Sequence, residues 1–319
     1  MNFILNLIIS FIALLWAANH LVTGASRLAL RLQLSPLIIG ITIVAMGTSA
    51  PELFVSIISA LKDKTDLAVG NAIGSSIANI GLILGITIFI KPTSLAHNKL
   101  KEAYPILVII MLFVYSLILD GYLGKIDGCF FLLGCIAVIC YLIYLVNQSH
   151  KKDLLVNQFR SAVLSYRSTP ANLFSIGLGL LIIPISSKYI VYNASEIALW
   201  AGLSELTIGL TIIAIGTSLP ELSTALVAAI KGEETLAIGT ILGSNIYNLL
   251  LILAFPGLLN PTKISSVVLW RDMPAMILIT FLLFLSHYQK KSSSWLGGVL
   301  LLVYFSYLVS LIIKTHGSP

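Results

Sequence analysis

Gly47-Thr48-Ser49-Ala50-Pro51-Glu52 interrupts the apolar stretch from Ser35 to Leu61. A hydrocarbon core about 30 Å thick takes roughly 20 apolar residues per helix, so a stretch of this length reads as a membrane span with the six residues near its middle. Burying a carboxylate at that depth costs at least ~2.5 kcal/mol on insertion scales. Pro51 has no N–H to donate and disrupts the preceding turn, which frees carbonyls around Gly47. Unsatisfied backbone groups are tolerated at membrane depth only where they line a cavity or coordinate something. The stretch therefore predicts a broken transmembrane helix with a polar purpose.

The motif returns as Gly216-Thr217-Ser218-Leu219-Pro220-Glu221, 169 residues later. Aligning Ala25 to Gly85 with Ala194 to Ala254 gives 30 identities in 61 positions, more than shared hydrophobicity produces. The chain is a duplication. Hydrophobic residues make up 58% and charged residues 10%, against about 25% charged in a soluble domain, so lipid is the solvent. The net charge of +6 is accordingly a matter of topology, not of nucleic-acid binding. Cys129, Cys135 and Cys140 share one apolar run and read as small buried hydrophobes, not as a disulfide or metal set.

The length rule predicts ten spans, the first five being Phe3 to Leu21, Ser35 to Leu61, Leu67 to Ile90, Ala103 to Leu119 and Lys125 to Val146. The second five are Asn172 to Tyr192, Glu205 to Ile230, Thr235 to Leu258, Val267 to Ser286 and Trp295 to Ile313. Met1 to Leu21 lacks a basic leader region and matches a later apolar run at the same offset of 169, so a retained helix is expected in place of a signal peptide. Residues 1–146 thus form a first five-helix repeat with its motif region at 37–90. Residues 147–170 form a polar linker on the cytoplasmic side, and 171–319 a second repeat with its motif region at 206–259. Because five is odd, the second repeat enters the membrane inverted: an all-α membrane protein of ten transmembrane helices in two inverted-topology repeats. With both termini outside, 12 of the 19 Lys and Arg residues fall in cytoplasmic loops, which favours that orientation in the cell (inner) membrane.

Glu52 and Glu221, the carbonyls freed near Gly47 and Gly216, and the hydroxyls of Thr48, Ser49, Thr217 and Ser218 make an all-oxygen donor set. Such hard ligands suit Ca²⁺ or Na⁺, not zinc or copper. The following span of each copy adds a second polar string, with Ser75 and Asn79 four residues apart on one helix face, and Ser244 and Asn248 likewise. Gly70, Gly74, Gly239 and Gly243 repeat in the spacing that lets helices approach closely. The remaining acidic residues, Asp63, Asp66, Asp120, Asp127, Glu233, Glu234 and Asp272 among them, lie at span ends and are expected on solvated faces.

Two inverted copies of G-T-S-x-P-E, each followed by G-N/T-x-x-G-S-x-x-x-N, resemble the alpha repeats of the sodium/calcium exchangers of the cation/calcium antiporter superfamily, in the short microbial form. The resemblance implies a single-chain antiporter, not an enzyme, in which inward Na⁺ movement drives Ca²⁺ out by alternating access. It implies Glu52 and Glu221 as central Ca²⁺ ligands with the backbone oxygens of Thr48 and Thr217. It also implies flanking Na⁺ sites from the carbonyls of Ala45 and Ala214 with Ser49, Ser75, Thr48, Ser218, Ser244 and Thr217, and Asn79 and Asn248 beside the central site. The first span of each half, Phe3 to Leu21 and Asn172 to Tyr192, would slide against the rest. No cofactor beyond the transported ions and no obligate protein partner is implied. Some members carry aspartate where this chain has Asn248, and the potassium-dependent branch uses an acidic residue there, so Asn248 argues for potassium independence.

Three other readings compete. A proton/calcium exchanger of the same superfamily would alternate its glutamates between protonation and Ca²⁺, but its motif follows a Gly-Asn string and lacks these hydroxyls. An intramembrane serine protease could be fitted to Gly47-Thr48-Ser49-Ala50, but a nucleophilic serine needs a base, and no His lies at membrane depth. A passive channel could use the same ligands and would differ in dissipating gradients without coupling.

Overall fold

The computed structural model describes residues 2–32, 34–92, 103–149, 169–202, 214–287 and 294–316. Nearly all of them are helical. In chain order the helices are α1 (Asn2–Arg31), α2 (Pro36–Thr48), α3 (Ala50–Leu61), α4 (Thr65–Ile90), α5 (Ala103–Ile118) and α6 (Lys125–Ser149). They continue with α7 (Thr169–Trp200), α8 (Ala214–Thr217), α9 (Leu219–Ile230), α10 (Glu234–Leu259), α11 (Met273–His287) and α12 (Ser294–His316). One two-residue antiparallel pair, β1 (Tyr122–Leu123) with β2 (Thr262–Lys263), sets Tyr122 opposite Lys263. Among the described residues six helices are long and apolar enough to cross a membrane, or seven if the bent pair α2 and α3 is one span. The chain is an all-α membrane protein. The expected linker at 147–170 and the start of the expected span Glu205 to Ile230 fall largely outside the described residues.

Two helices outrun the bilayer-length expectation. α1 continues past Leu21 to Arg31, and α7 past Tyr192 to Trp200. The reason is amphipathicity: beyond Leu21 the apolar run thins, yet Val22, Ala25, Leu28 and Ala29 stay buried while Arg27 and Arg31 are exposed. An apolar-length rule stops at the first charge, whereas a helix stops where its buried face ends.

The chain divides into two compact units, each taking segments from both sequence halves: Met1–Pro51 with Ile139–Thr240, and Glu52–Val138 with Ile241–Pro319. In the first, α1 and α7 run antiparallel. The Phe3 and Tyr192 rings meet at 6.4 Å near one end, and Gly24 faces Asn172 near the other. A Cβ on Gly179 would stand 2.6 Å from Leu21 Cβ, so the glycine is what lets the backbones close up. Leu14, Ala17, Leu21, Ile176 and Ile183 form the core between them. α1 also packs on α9, and beyond it Lys231 Nζ donates to Thr23 Oγ1 (2.5 Å) while Ser26 Oγ donates to Glu233 Oε1 (2.5 Å). Glu233, expected on a solvated face, is half-buried.

In the second unit α12 packs along the last turns of α4. Gly81 lies against Tyr304, and a Cβ on Gly297 would meet the Gly85 carbonyl at 2.6 Å. Ile73, Ile77, Ile80 and Ile83 of α4 are buried together with Leu249 and Leu250 of α10 and Met273 and Met276 of α11. Asp272, expected on a solvated face, is instead 8% exposed and accepts from Arg271 Nε (2.7 Å) and Tyr307 OH (3.1 Å). Its charge is matched by its chain neighbour and by a tyrosine 35 residues away. Of the cysteines only Cys135 is buried. Cys129 and Cys140 are exposed on α6, a position that an apolar thiol tolerates in contact with lipid.

Candidate functional site

Both motifs break their helices at the serine. Ser49 has φ −85°, ψ 4° and Ser218 has φ −93°, ψ 5°, the same bridge-region conformation at the same repeat position. Each proline then takes the second position of the next helix, where its missing N–H is harmless. The helices on either side of Ser49 meet at 45°. The Ala45 carbonyl, expected as a cation ligand, accepts the Ser49 N–H at 3.0 Å and the Thr48 hydroxyl at 3.2 Å. Ala214 opens α8 at the equivalent place.

In the first unit the structure brings Ser49 and Glu221 together. Ser49 Oγ donates to Glu221 Oε1 at 3.2 Å, and the Thr48 hydroxyl also faces this carboxylate. Glu221 is 2% exposed, and its Oε2 has no hydrogen-bond partner among the described residues. Thr48 and Ser218 are buried with it, while Thr217 is exposed, so the two copies are not equally open. An ionised carboxylate in an apolar interior with only neutral donors around it is costly unless it is paired or neutralised.

In the second unit Glu52 is 3% exposed, and its main-chain carbonyl accepts from Asn71 Nδ2 at 3.1 Å. Ser75, Asn79, Ser244 and Asn248 are all buried. Asn79 and Asn248 each open a π-helical segment, Asn79–Leu84 and Asn248–Ile252. Such segments widen the helix and often mark functional sites. Ser56 Oγ takes one of the displaced carbonyls, that of Ile252, at 3.0 Å. The two asparagines then differ. Asn79 Nδ2 donates to Asn245 Oδ1 (3.0 Å), and Asn245 Nδ2 donates to the Ser76 carbonyl (3.3 Å). Asn248 Oδ1 and Ser244 Oγ have no hydrogen-bond partner among the described residues.

Asn245, fully buried, is the residue that sequence reasoning missed. Its repeat counterpart is Ser76, and attention to positions identical in both copies passed over it. The glycine pattern holds only in part: a Cβ on Gly239 would meet the Leu37 carbonyl at 2.5 Å, whereas Gly70 and Gly74 have nothing within 4 Å.

Among the described residues no three His, Cys, Asp or Glu side chains gather as a metal cluster. Each unit instead buries one glutamate, Glu221 in the first and Glu52 in the second, and each also buries hydroxyl or amide oxygens. Oxygen donors of this kind are the type that hard cations prefer.

Comparison with known proteins follows the same line. Residues 2–149 and 171–313 match the family described as sodium/calcium exchanger protein. The chain is 36% identical over 298 residues to the inner membrane protein YrbG of Escherichia coli, covering 92% of each. It is 29% identical to the sodium/calcium exchanger MaX1 of Methanosarcina acetivorans, covering 97% of this chain and 98% of that one. Among solved structures it resembles the sodium-calcium exchanger NCX_Mj soaked with 2.5 mM Na⁺ and 0.1 mM Ca²⁺, with a TM-score of 0.84, 27% identity, and coverage of 98% and 99%. With its duplicated motif, its apolar helices and this match across both halves, the chain is a multi-pass membrane protein that belongs to the sodium/calcium exchanger family.

Proposed function

We propose that the chain is an antiporter that couples Na⁺ entry to Ca²⁺ extrusion across the cell membrane, independently of K⁺, through ten spans arranged as two inverted repeats with both termini outside. Glu52 and Glu221 supply the carboxylates for Ca²⁺, and the hydroxyls and carbonyls of Ala45, Thr48, Ser49, Ser75, Ala214, Thr217, Ser218 and Ser244 serve Na⁺, with Asn79 and Asn248 beside them. The observation that carries the reading is the buried Glu221 carboxylate, bonded by the Ser49 hydroxyl on one oxygen and lacking a hydrogen-bond partner among the described residues on the other. A cation is the natural partner for that oxygen. Hydroxyls around it favour Na⁺ as the exchanged ion, because a proton-coupled site has no need of them. Asn248 in place of an acid supports potassium independence.

The test is radioactive Ca²⁺ uptake into proteoliposomes loaded with Na⁺ and diluted into Na⁺-free buffer. Uptake driven by the Na⁺ gradient and indifferent to K⁺ is expected. Uptake driven only by a pH gradient would move the function to proton/calcium exchange.

A further inference from the structure

The duplication repeats the glutamates but not what holds their helices. In the second unit Asn71 Nδ2 of α4 donates to the Glu52 carbonyl at 3.1 Å. One turn further along α3, the fully buried Ser56 hydroxyl donates to the Ile252 carbonyl of α10 at 3.0 Å. Two neighbouring helices therefore bond α3 at and just beyond Glu52. At the offset of 169, Asn71 becomes Thr240 and Ser56 becomes Ala225. Thr240 Oγ1 gives its one proton to the Leu236 carbonyl of its own helix at 2.9 Å, and Ala225 has nothing to donate. The hydroxyls that α9 does carry behave alike: Ser223 and Thr224 both donate to the Pro220 carbonyl, at 3.0 and 2.8 Å, within the same helix. Glu221 thus stands on a helix whose hydroxyls bond inward, and Glu52 on one that two other helices pin.

We propose that Asn71 and Ser56 are positioning residues that fix the main chain under Glu52 and thereby make Glu52 the carboxylate that selects the divalent ion by size. Because the Asn71 bond is to the main chain, it sets the point from which the carboxylate projects without consuming a carboxylate oxygen. Selection among hard divalent ions is a matter of cavity size, ligand number and ligand flexibility. A carboxylate on a pinned turn cannot draw back to admit a larger ion such as Ba²⁺, whereas Glu221 lacks the equivalent ties. The inference rests on the reading of Glu52 and Glu221 as Ca²⁺ ligands, and it divides their roles.

The test is calorimetric titration of the purified full chain with Ca²⁺ and, separately, with Ba²⁺. The wild type is expected to bind Ca²⁺ the more tightly. Asn71→Thr and Ser56→Ala each install the residue that the other copy carries, and each is expected to narrow the ratio of the two dissociation constants roughly three- to fivefold, the scale of one neutral hydrogen bond. Thr240→Val removes a bond that α10 makes to itself and is expected to leave the ratio where it was. A general loss of packing would weaken both ions together, so an unchanged ratio in Asn71→Thr, or an equal narrowing in Thr240→Val, overturns the proposal. So does a wild type that binds the two ions equally. If Ser56→Ala, which leaves the Ile252 carbonyl without its hydroxyl, does not fold, Asn71→Thr decides alone. The coupling ion does not enter this titration: Ca²⁺ binding without Na⁺-driven uptake removes the Na⁺-coupled reading and leaves the inference to the ratio, whereas a wild type that binds neither ion removes both.

Discussion

The Ser49 hydroxyl donates to Glu221 Oε1 at 3.2 Å, joining the motif of one repeat to the motif of the other across 172 positions of sequence. Glu221→Gln keeps the shape and removes the charge. Ca²⁺ uptake is expected to fall roughly 100-fold or more, since a lost charged ligand is worth several kcal/mol, while the protein stays folded by size-exclusion chromatography. Glu52→Gln is expected to behave alike. Full transport by either variant would remove these residues from the site.

Ser49→Ala should be milder, because it takes away one neutral hydrogen bond worth about 1 kcal/mol. The half-saturating Na⁺ is expected to rise roughly fivefold with turnover retained. A complete loss of turnover would instead favour a role for Ser49 in the chemistry of a reaction.

Asn245 holds both Asn79 and the Ser76 main chain in a fully buried position. Asn245→Ala leaves their polar groups without those bonds and is expected to cost about 1–3 kcal/mol, seen as a lower melting temperature in detergent. Asn248→Asp places a third carboxylate beside a buried amide position and should make Ca²⁺ uptake responsive to K⁺. The check is the proteoliposome assay with and without that ion.

Two glycines with the same spacing signature should respond in opposite ways. Gly239→Ala drives a methyl group to 2.5 Å from the Leu37 carbonyl, a backbone atom that cannot swing aside, and loss of stability is expected. Gly74→Ala meets nothing within 4 Å and removes a flexible residue from a helix, so a gain of up to about 1 kcal/mol is expected. Thermal melts of the two purified variants give the comparison.

The broken helices were legible because Pro51 and Pro220 act through covalent structure: a missing N–H has the same consequence wherever the helix packs. The buried glutamates were legible because insertion cost makes an acid at membrane depth conspicuous. Asn245 was not, since its importance lies in bonds to Asn79 and Ser76 that only the folded chain creates. Asp272 was misread for a related reason. Its position at a span end says solvent, and only the placement of Tyr307 together with Arg271 shows how its charge is buried. The overrun of α1 to Arg31 escaped because hydropathy measures how apolar a segment is, not which side of it is covered. The π-helical segments that Asn79 and Asn248 open left no trace in composition or spacing, so the widening there had to be seen.

α1 and α7 meet backbone to backbone, with Gly24 on Asn172 and Gly179 on Leu21, and there is no room for a methyl group at either contact. Helices seated this closely have no side chain between them to absorb a change. A single added carbon at either glycine would act as a spacer between two backbones, lifting one whole helix off the other in place of shifting one side chain.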